Sequence, residues 1–329
     1  MLYRILAVAI LVISPLSASV DLETMAQDFV LETKELKIPG YPGACNPSIV
    51  RWHNTLVLSF NAYTEGTDAP DQIGLVYLDG DFNVNGTPQI LNVPKSPWPD
   101  CRLITNEDRL YLVFNGSIDG GIRRTFITTV QYDGAKFSID APEPLLYFPG
   151  QKADQWERNW IPFIYDNTLF LTSNLAPHRI LQPFLGSQRC EEAASTPFSG
   201  TWDWGPPKPG TSAHFCGDHY LAFLHSVKMM PSAHSEEKPI QHYFMGAYCF
   251  EKHPPFAITA ISKQPIIGEK FYHGPEYKMT KPCRVVFPCG FVMDDHYVWI
   301  VFGRQDHEIQ VAKLDKKELY DSMVPVNVK

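Results

Sequence analysis

Asp100 and Arg102 are the first residues whose types and spacing suggest chemistry. They stand two positions apart, so on a strand both side chains would point to the same face. A neighbouring arginine lowers the pKa of a carboxyl group, whereas burial beside apolar residues such as Trp98 raises it. A proton donor needs the second effect to prevail. The pair therefore predicts either an acid catalyst or a structural ion pair that supports the fold.

Arg158, Asn159 and Trp160 place a cation, an amide and an aromatic ring on three consecutive residues. Carbohydrate sites use this mixture, because charged and amide groups bind hydroxyls while a ring stacks on the apolar face of a sugar. Small-ligand sites in general combine apolar walls with a few placed polar groups. The alternative interpretation is a buried tryptophan with solvated neighbours.

Two further polar groups directly follow apolar runs. His225 closes one run, and a cluster at 304–308 that includes Asp306 follows another. The alternatives are a hydrogen-bonded structural histidine and an exposed turn. The 11 histidines and seven cysteines show no CxxC or HExxH spacing, and the chain has no GxSxG, P-loop or GxGxxG motif. We therefore expect no metal site and no cofactor.

Composition excludes several classes of protein. The chain has 329 residues, a formal charge of −8 and a hydrophobic content of 44%, which is enough to build a core. It lacks the basic surface that a nucleic-acid-binding protein needs. After residue 20, no apolar run approaches the roughly 20 residues that span a bilayer.

The elements that must position these residues are predicted to be strands. A polar turn followed by an apolar strand occurs five times, with spacings of 54, 59, 52 and 77 residues between equivalent positions. Repeats of this length with several strands each indicate propeller blades. We predict an all-β, five-bladed β-propeller with short helices within 21–36 and 314–323; a two-sheet sandwich is the alternative. The equivalent positions are Leu56, Leu110, Leu169, Leu221 and Val298.

The first residues resemble a signal peptide. Arg4 precedes an apolar stretch at 5–13, and Ser17 and Ser19 have the spacing of a cleavage site. We predict a signal peptide at 1–19, an N-terminal segment at 20–39 and a single propeller domain at 40–329. The protein is then secreted or periplasmic, with no membrane span once the signal is removed. The alternatives are an uncleaved anchor and an apolar N-terminus of a cytosolic protein.

Each repeat is accompanied by a short polar or proline-containing motif, and in a propeller such segments would converge on one funnel. The leading residues expected to converge there are Asn46, Asp100, Asn159, Thr211 and Pro288. The motifs are Asn46-Pro47-Ser48, Pro99-Asp100-Cys101-Arg102, Glu157-Arg158-Asn159-Trp160-Ile161-Pro162-Phe163, Lys208-Pro209-Gly210-Thr211-Ser212 with His225-Ser226, Phe287-Pro288-Cys289-Gly290, and Phe302-Gly303-Arg304-Gln305-Asp306.

In this order, the motifs resemble those of glycoside hydrolase family 130, which contains β-mannoside phosphorylases and β-1,2-mannosidases. The resemblance runs from about residue 40 to residue 315 and implies a five-bladed propeller. It implies that Asp100 is the catalytic acid, that Asn159 and Asp306 hold mannose hydroxyls, and that His225 contacts phosphate. The remaining residues expected to bind substrate are Asn46, Arg102, Arg158, Trp160 and Lys208.

One departure from the family pattern bears on the reaction. Family phosphorylases have an arginine where Phe60-Asn61-Ala62 stands and a second basic residue in the next loop, which here is acidic at 65–71. A phosphate dianion without several donors is poorly held. We therefore expect inverting hydrolysis of a mannose-containing oligosaccharide or glycan. The candidate bases are Glu157, Glu65 and Asp68.

Two other functions remain open on the same fold. One is a mannoside phosphorylase or mannosyltransferase that uses His225, Arg158 and Lys208 to bind phosphate or a sugar nucleotide. The other is a non-catalytic propeller that binds a glycan or a protein, because a fold alone does not determine function.

Overall fold

The computed structural model describes residues 20–150, 156–277 and 281–326 of the chain. Within them, β-strands account for nearly all regular structure. The strands are β1 (Val30–Leu36), β2 (Cys45–Trp52), β3 (Thr55–Ala62), β4 (Gln72–Leu78), β5 (Val84–Ile90), β6 (Arg102–Asn106), β7 (Arg109–Ser117), β8 (Arg123–Tyr132), β9 (Phe137–Ile139), β10 (Glu143–Pro144), β11 (Ile161–Tyr165), β12 (Thr168–Leu175), β13 (His178–Phe184), β14 (Arg189–Thr196), β15 (Lys208–Pro209), β16 (His214–Phe215), β17 (His219–Met230), β18 (Ile240–Glu251), β19 (Ile258–Ser262), β20 (Cys283–Arg284), β21 (Val286–Met293), β22 (Tyr297–Arg304), β23 (Glu308–Asp315) and β24 (Met323–Pro325).

The described strands form five sheets, most of them antiparallel meanders in which strands that follow one another in the chain pair side by side. The first sheet has the order β2-β3-β4-β5, the second β6-β7-β8-β10, and the third β11-β12-β13-β14. The fourth follows β15-β17-β18-β19-β24, with β16 pairing β17 and β20 pairing β18. The fifth has the order β21-β22-β23-β1, and β9 pairs β8 in the second.

The sheets follow one another around a common centre. The first strand of the first sheet, β2, contacts both β6 of the second sheet and β21 of the fifth. β6 in turn contacts β11, strands of the third sheet contact the short β15 and β16 of the fourth, and β17 contacts β21. This cyclic order makes the fold propeller-like, and it differs from the two facing layers of a sandwich. The expectation of an all-β, propeller-like fold is confirmed.

The five repeat positions mark the same element of each sheet. Each lies in the second strand (β3, β7, β12, β17 or β22), and all five side chains are buried. Apolar side chains fill the spaces between neighbouring sheets, as when Val50 and Val57 pack with Leu103 and Leu112 between the first and second sheets. Packing of this kind fixes the positions of the first strands, where the polar motifs lie.

The predicted N-terminal helix is wrong over most of 21–36. Leu22–Met25 forms only a 3₁₀ turn, and Val30–Leu36 is strand β1, paired antiparallel with Glu308–Asp315. Backbone pairing with the exposed edge of β23 is available only in the tertiary fold, and there it overrides the mixed local spacing of apolar residues.

The C-terminal segment contains the single α-helix of the described residues, α1 (Lys316–Asp321). Its N-cap is Asp315, which accepts a hydrogen bond from the backbone N–H of Glu318 at 2.9 Å. Two further short 3₁₀ segments, Asp119–Gly121 and Ala233–Ser235, lie in connections between strands.

Neither a disulfide nor a membrane-spanning helix occurs in residues 20–150, 156–277 and 281–326. All seven cysteines belong to these ranges and are free thiols, six of them buried, as expected for small core side chains. No helix there is long and apolar enough to cross a membrane. The predicted signal peptide at 1–19 lies outside the described residues.

Candidate active site

Most of the predicted site residues line a cavity of about 540 Å³. Seven of the nine line it: Asn46, Asp100, Arg158, Asn159, Lys208, His225 and Asp306. Five of them come from the first strands, or from the segments before them, in the first four sheets. His225 lies on β17, and Asp306 lies in the turn after β22. A larger cavity of about 1260 Å³, between the outer parts of the first two sheets, contains none of these residues. The smaller cavity is therefore the candidate active site.

Two asparagine amides hold one oxygen of Asp100. Nδ2 of Asn46 donates to Oδ1 of Asp100 at 3.0 Å, and Nδ2 of Asn61 donates to the same oxygen at 2.9 Å. Both asparagines are buried, and Asp100 is 7% exposed. Neither amide occupies Oδ2 of Asp100. The carboxyl group is thus fixed in orientation and keeps one oxygen for a ligand in the cavity.

The amide of Asn46 also joins Asp100 to a second carboxyl group. Its Nδ2 atom lies 3.4 Å from Oδ1 of Asp306, so the two carboxyl groups are neighbours on either side of one amide. Burial, together with the negative charge of Asp100, outweighs the hydrogen bond from Asn46 and raises the pKa of Asp306 to about 7. Near neutral pH, Asp306 can therefore carry a proton.

Backbone conformation at the cavity is unusual. Asn46, Trp98, Asp100, Asn159 and Asp306 all have positive φ, between 39° and 60°. Residues other than glycine rarely adopt this left-handed backbone conformation, although asparagine and aspartate tolerate it best. At Asn46 it coincides with a shift in register between β2 and β3. Such conformations cluster at functional sites, where the surrounding fold maintains them.

A group of cations faces the carboxyl pair. Arg158 and Lys208 line the cavity with exposed side chains. Arg123 is buried beneath Trp156, with its guanidinium 4.8 Å from the indole ring. Burial lowers the pKa of Arg123, and the charge of Arg158 lowers it further, whereas Asp100 raises it. The cavity is therefore suited to a ligand that carries negative charge or many oxygen acceptors.

His225 forms part of the wall as a neutral ring. Burial lowers its pKa to about 3, and the positive charges of Arg102, Lys208 and Arg158 contribute to this decrease. The ring packs edge-on against Phe287 at 4.7 Å between centroids. Its Nδ1 atom is buried and has no hydrogen-bond partner among the described residues. An unpaired buried atom of this kind is available to a polar ligand.

Arg102 was expected to bind substrate, and it lies outside the cavity lining. Its buried guanidinium donates to the backbone carbonyls of Asp100 at 2.8 Å, of Cys101 at 3.1 Å and of Gly210. It makes no ion pair with the carboxylate of Asp100, so the predicted structural ion pair is also wrong. Arg102 instead ties the segment that carries Asp100 to Gly210, which precedes β17 in the fourth sheet.

Trp160 was expected to stack on a sugar, and it also lies outside the lining. The side chain is buried edge-on against Phe148, and its Nε1 donates to Oε2 of Glu157 at 3.2 Å. Trp98 and Trp156 line the cavity in its place, and Trp156 is 57% exposed. The aromatic component of the site is therefore present, on different residues from the predicted one.

The expected convergence on a funnel holds for three of its five residues. Asn46, Asp100 and Asn159 line the cavity, whereas Thr211 and Pro288 do not. Thr211 is buried and accepts a hydrogen bond from the backbone N–H of Phe223 at 3.0 Å. Chain neighbours of the two, Pro209 and Phe287, line the cavity instead.

Of the three candidate bases, Glu157 lines the cavity, and Glu65 and Asp68 do not. Burial raises the pKa of Glu157, while the bond from Trp160 lowers it. Glu65 and Asp68 lie in the exposed connection between β3 and β4. Three residues of the site carried no distinctive signal in the sequence: Asn61, Arg123 and Trp156.

Comparison with known proteins shows similarity in structure only. No family model matches the chain, and no curated protein matches it in sequence. A mannose phosphorylase from Leishmania mexicana, solved with a phosphate ion, is 13% identical and has a TM-score of 0.60; the match covers 93% of this chain and 95% of that one.

A GDP-Man-dependent mannosyltransferase from the same organism is 12% identical with a TM-score of 0.59, covering 92% of this chain and 95% of that one. A third similar structure comes from glycoside hydrolase family 130 and is 12% identical to this chain. Its TM-score is 0.58, and the match covers 93% of this chain and 96% of that one. This family of mannoside phosphorylases also contains glycoside hydrolases that target β-1,2 mannosidic linkages in Candida mannan.

This chain has the family 130 fold. The expected structural resemblance is thereby confirmed, across nearly the whole length of both partners in each comparison. Identities of 12–13% show the fold alone. Phosphorolysis, mannosyl transfer and hydrolysis all occur among these neighbours of the family 130 fold, so the reaction has to be argued from the residues of the cavity.

Proposed function

We propose that the protein is a carbohydrate-active enzyme that cleaves β-mannosidic bonds, with Asp100 as the proton donor. The observation that carries this proposal is the pair Asp100 and Asp306, joined by the amide of Asn46 in a cavity with polar and tryptophan walls. A buried carboxyl group held by fixed donors, next to an open space, is an arrangement suited to general acid catalysis.

The proposed reaction is inverting hydrolysis. Asp306 and Asn159 hold hydroxyls of the mannose ring, and Trp98 or Trp156 contacts its apolar face. Asp100 protonates the glycosidic oxygen, directly or through a sugar hydroxyl, as the bond from that oxygen to the anomeric carbon breaks. Water attacks the anomeric carbon from the other face, and a second carboxylate takes its proton. We propose Glu157 as this base, because it lines the same cavity.

The residues at the end of β3 favour hydrolysis, because they include no cation that could bind phosphate. Asn61 binds Asp100 through its amide, and its neighbours Phe60 and Ala62 are buried apolar side chains. The one lysine beside the following loop, Lys95, lies 3.6 Å from the carboxylate of Asp71. This side of the cavity therefore offers no free cation to a phosphate among the described residues.

Phosphorolysis or mannosyl transfer is the second candidate, and a group of basic residues in the cavity lining favours it. Arg158 and Lys208 bring two cations to the cavity, and His225 contributes an unpaired Nδ1 atom. Donors of this type bind phosphate oxygens. The phosphate-bound phosphorylase and the mannosyltransferase among the structural neighbours are consistent with this candidate.

The test is a set of β-mannoside oligosaccharides incubated with the protein, with and without inorganic phosphate. Hydrolysis predicts free mannose at a rate that phosphate leaves unchanged, and NMR of the first product should show the inverted α-anomer. Release of mannose 1-phosphate only when phosphate is present would support the second candidate. Binding without turnover in either condition would support a non-catalytic glycan-binding propeller.

We also propose that the five sheets are the five blades of one closed propeller, which begins with β1 and therefore before the predicted boundary at residue 40. β1 lies in the predicted N-terminal segment 20–39 and completes the fifth sheet, so that segment is part of the same folding unit. We propose further that 1–19 is a signal peptide and that the protein is secreted or periplasmic. Mass spectrometry of the exported protein would reveal a new N-terminus at Val20.

A further inference from the structure

Three side chains from distant parts of the sequence meet near the N-terminal 3₁₀ turn. Oδ1 of Asp21 lies 3.0 Å from Nε2 of His234 and 3.6 Å from Nε2 of His273. One nitrogen or oxygen atom from each residue lies within 4.8 Å of the others. Among the described residues, this is the one group of three or more histidine, cysteine or acidic side chains close enough to share an ion.

Nε2 of His234 faces both a hydrogen-bond donor and a carboxylate acceptor. The backbone N–H of Leu22 donates to Nε2 of His234 at 3.1 Å, so this nitrogen presents its lone pair. The same nitrogen faces the carboxylate of Asp21. An imidazole nitrogen has one position for either a proton or a lone pair, and it cannot serve both neighbours. A cation between the carboxylate and the nitrogen would bind both and remove the conflict, and the N–H of Leu22 would then lose this acceptor.

The surrounding backbone holds the three residues in place. The carboxylate of Glu23 accepts hydrogen bonds from the backbone N–H groups of Lys270, Tyr272 and His273 at 2.7–3.1 Å. His234 lies in the short turn Ala233–Ser235. The bonds to Glu23 fix the backbone at His273 and tie it to the N-terminal turn that Asp21 caps.

We propose that Asp21, His234 and His273 form a binding site for one divalent transition-metal ion, for which Zn²⁺ is the best chemical match. Two imidazoles and one carboxylate are ligands that Zn²⁺ prefers, and a water molecule would complete a four-coordinate site. With metal–ligand bonds of about 2.0–2.2 Å, ligand atoms at a tetrahedral centre lie about 3.4 Å apart. The distances of 3.0 and 3.6 Å from Asp21 bracket that value.

The site would tie the N-terminal turn to two later segments of the chain. His234 is in the connection between β17 and β18, and His273 is between β19 and β20. The hydroxyl of Tyr272, next to His273, donates to the carbonyl of Tyr243 at 2.8 Å, and Tyr243 lines the candidate active site. The bound ion therefore acts as a structural cross-link behind one wall of that cavity.

Metal binding is tested without substrate, so the result does not depend on the proposed enzymatic function. Protein stripped with EDTA is melted with and without Zn²⁺ at about 100 times its Kd, where we expect Tm to rise by about 4 °C. Titration with Co²⁺ should give visible d–d absorption that saturates at one ion per chain. No Tm shift with Zn²⁺ together with no Co²⁺ absorption would overturn the proposal.

The ligands are tested with Asp21→Asn and His273→Gln. Both should lower Zn²⁺ affinity at least tenfold and abolish the Co²⁺ absorption. His273→Gln is the decisive variant, because this side chain is 55% exposed and its loss should not prevent folding. His296→Gln, the same substitution at an exposed position beside Asp294, is the matched control and should keep the wild-type response. Undiminished Zn²⁺ binding in both ligand variants would refute this site.

Discussion

Gly303 lies so close to Asn46 that a Cβ atom at position 303 would come within 2.1 Å of Oδ1 of Asn46. Strand β22 can therefore pass behind Asn46 only because residue 303 has no side chain. Since Asn46 joins Asp100 to Asp306, a glycine outside the cavity lining controls the position of both carboxyl groups.

Gly303→Ala should reduce kcat by about 10–100-fold while the protein remains folded. The new methyl group forces Asn46 to move, and a displacement of about 1 Å near the reacting groups can cost this much. Turnover of a β-mannoside and Tm are measured together. Gly80→Ala is the control, because a Cβ atom there meets nothing within 4 Å. Equal kcat in the two variants would show that Asn46 does not position Asp100.

Asp100→Asn should lower kcat on a β-mannoside by about 10²–10⁴-fold, because it removes the transferable proton. The fold should survive, since an asparagine carbonyl can still accept the bonds from Asn46 and Asn61. An aryl mannoside with an activated leaving group needs less protonation and should lose less activity. Unimpaired turnover in the folded variant would remove Asp100 from the mechanism.

Asp306→Asn should stabilise the protein at alkaline pH. Because the pKa of Asp306 is raised to about 7, the native state binds a proton more tightly than the unfolded state, whose carboxyl pKa is about 3.9. The resulting stability is complete below about pH 4 and is lost as pH rises through about 7.

Asparagine resembles the protonated carboxyl group at every pH, so the Tm of Asp306→Asn should fall less than that of the wild type between pH 5 and pH 8.5. Thermal melts across this range measure the difference. Asp81→Asn, at an exposed turn, is the control and should follow the wild-type curve. Parallel curves for Asp306→Asn and the wild type would contradict the raised pKa.

Arg102→Met should destabilise the fold by about 2–4 kcal/mol. It leaves buried carbonyls of Asp100, Cys101 and Gly210 without their charged donor. Urea unfolding measures the loss. KM should change less than threefold, because the guanidinium does not line the cavity. A large rise in KM with unchanged stability would return Arg102 to the substrate-binding residues.

Glu157→Gln should lower the rate of hydrolysis by at least 100-fold if Glu157 is the base that activates water. Its amide can keep the contact with the indole of Trp160, so Tm should change little. Glu65→Gln, in the exposed loop between β3 and β4, is the matched control. Similar activities for the two variants would exclude Glu157 as the base.

Much of the fold was predictable, because burial of each second strand repeats along the sequence. Asn46, Asp100 and Asp306 were predictable for the same reason, since they lie beside the repeated strands. Asn61 was not, because a polar residue at the end of the apolar strand β3 shows its partner only in three dimensions.

The choice between two tryptophans could not be made from the sequence either. Asn159 has a φ of 60°, which turns the chain between Trp156 and Trp160. One indole consequently lines the cavity while the other is buried in the core. Strand periodicity does not encode a left-handed residue, so the spacing pointed to the wrong ring. The strand β1 was missed because its partner, β23, is distant in sequence.

The pairing of β1 with β23 determines when the fifth sheet can form during biosynthesis. Val30–Leu36 leaves the ribosome among the first described segments, and its partner Glu308–Asp315 among the last. At about 5–20 residues per second, translation separates the two by roughly 14–55 s. Throughout that interval, β1 has no partner strand, and its backbone groups are open to pairing with other chains. The fifth sheet therefore matures after translation of the other four, and a ribosome-associated or export chaperone would find its binding site at 30–36.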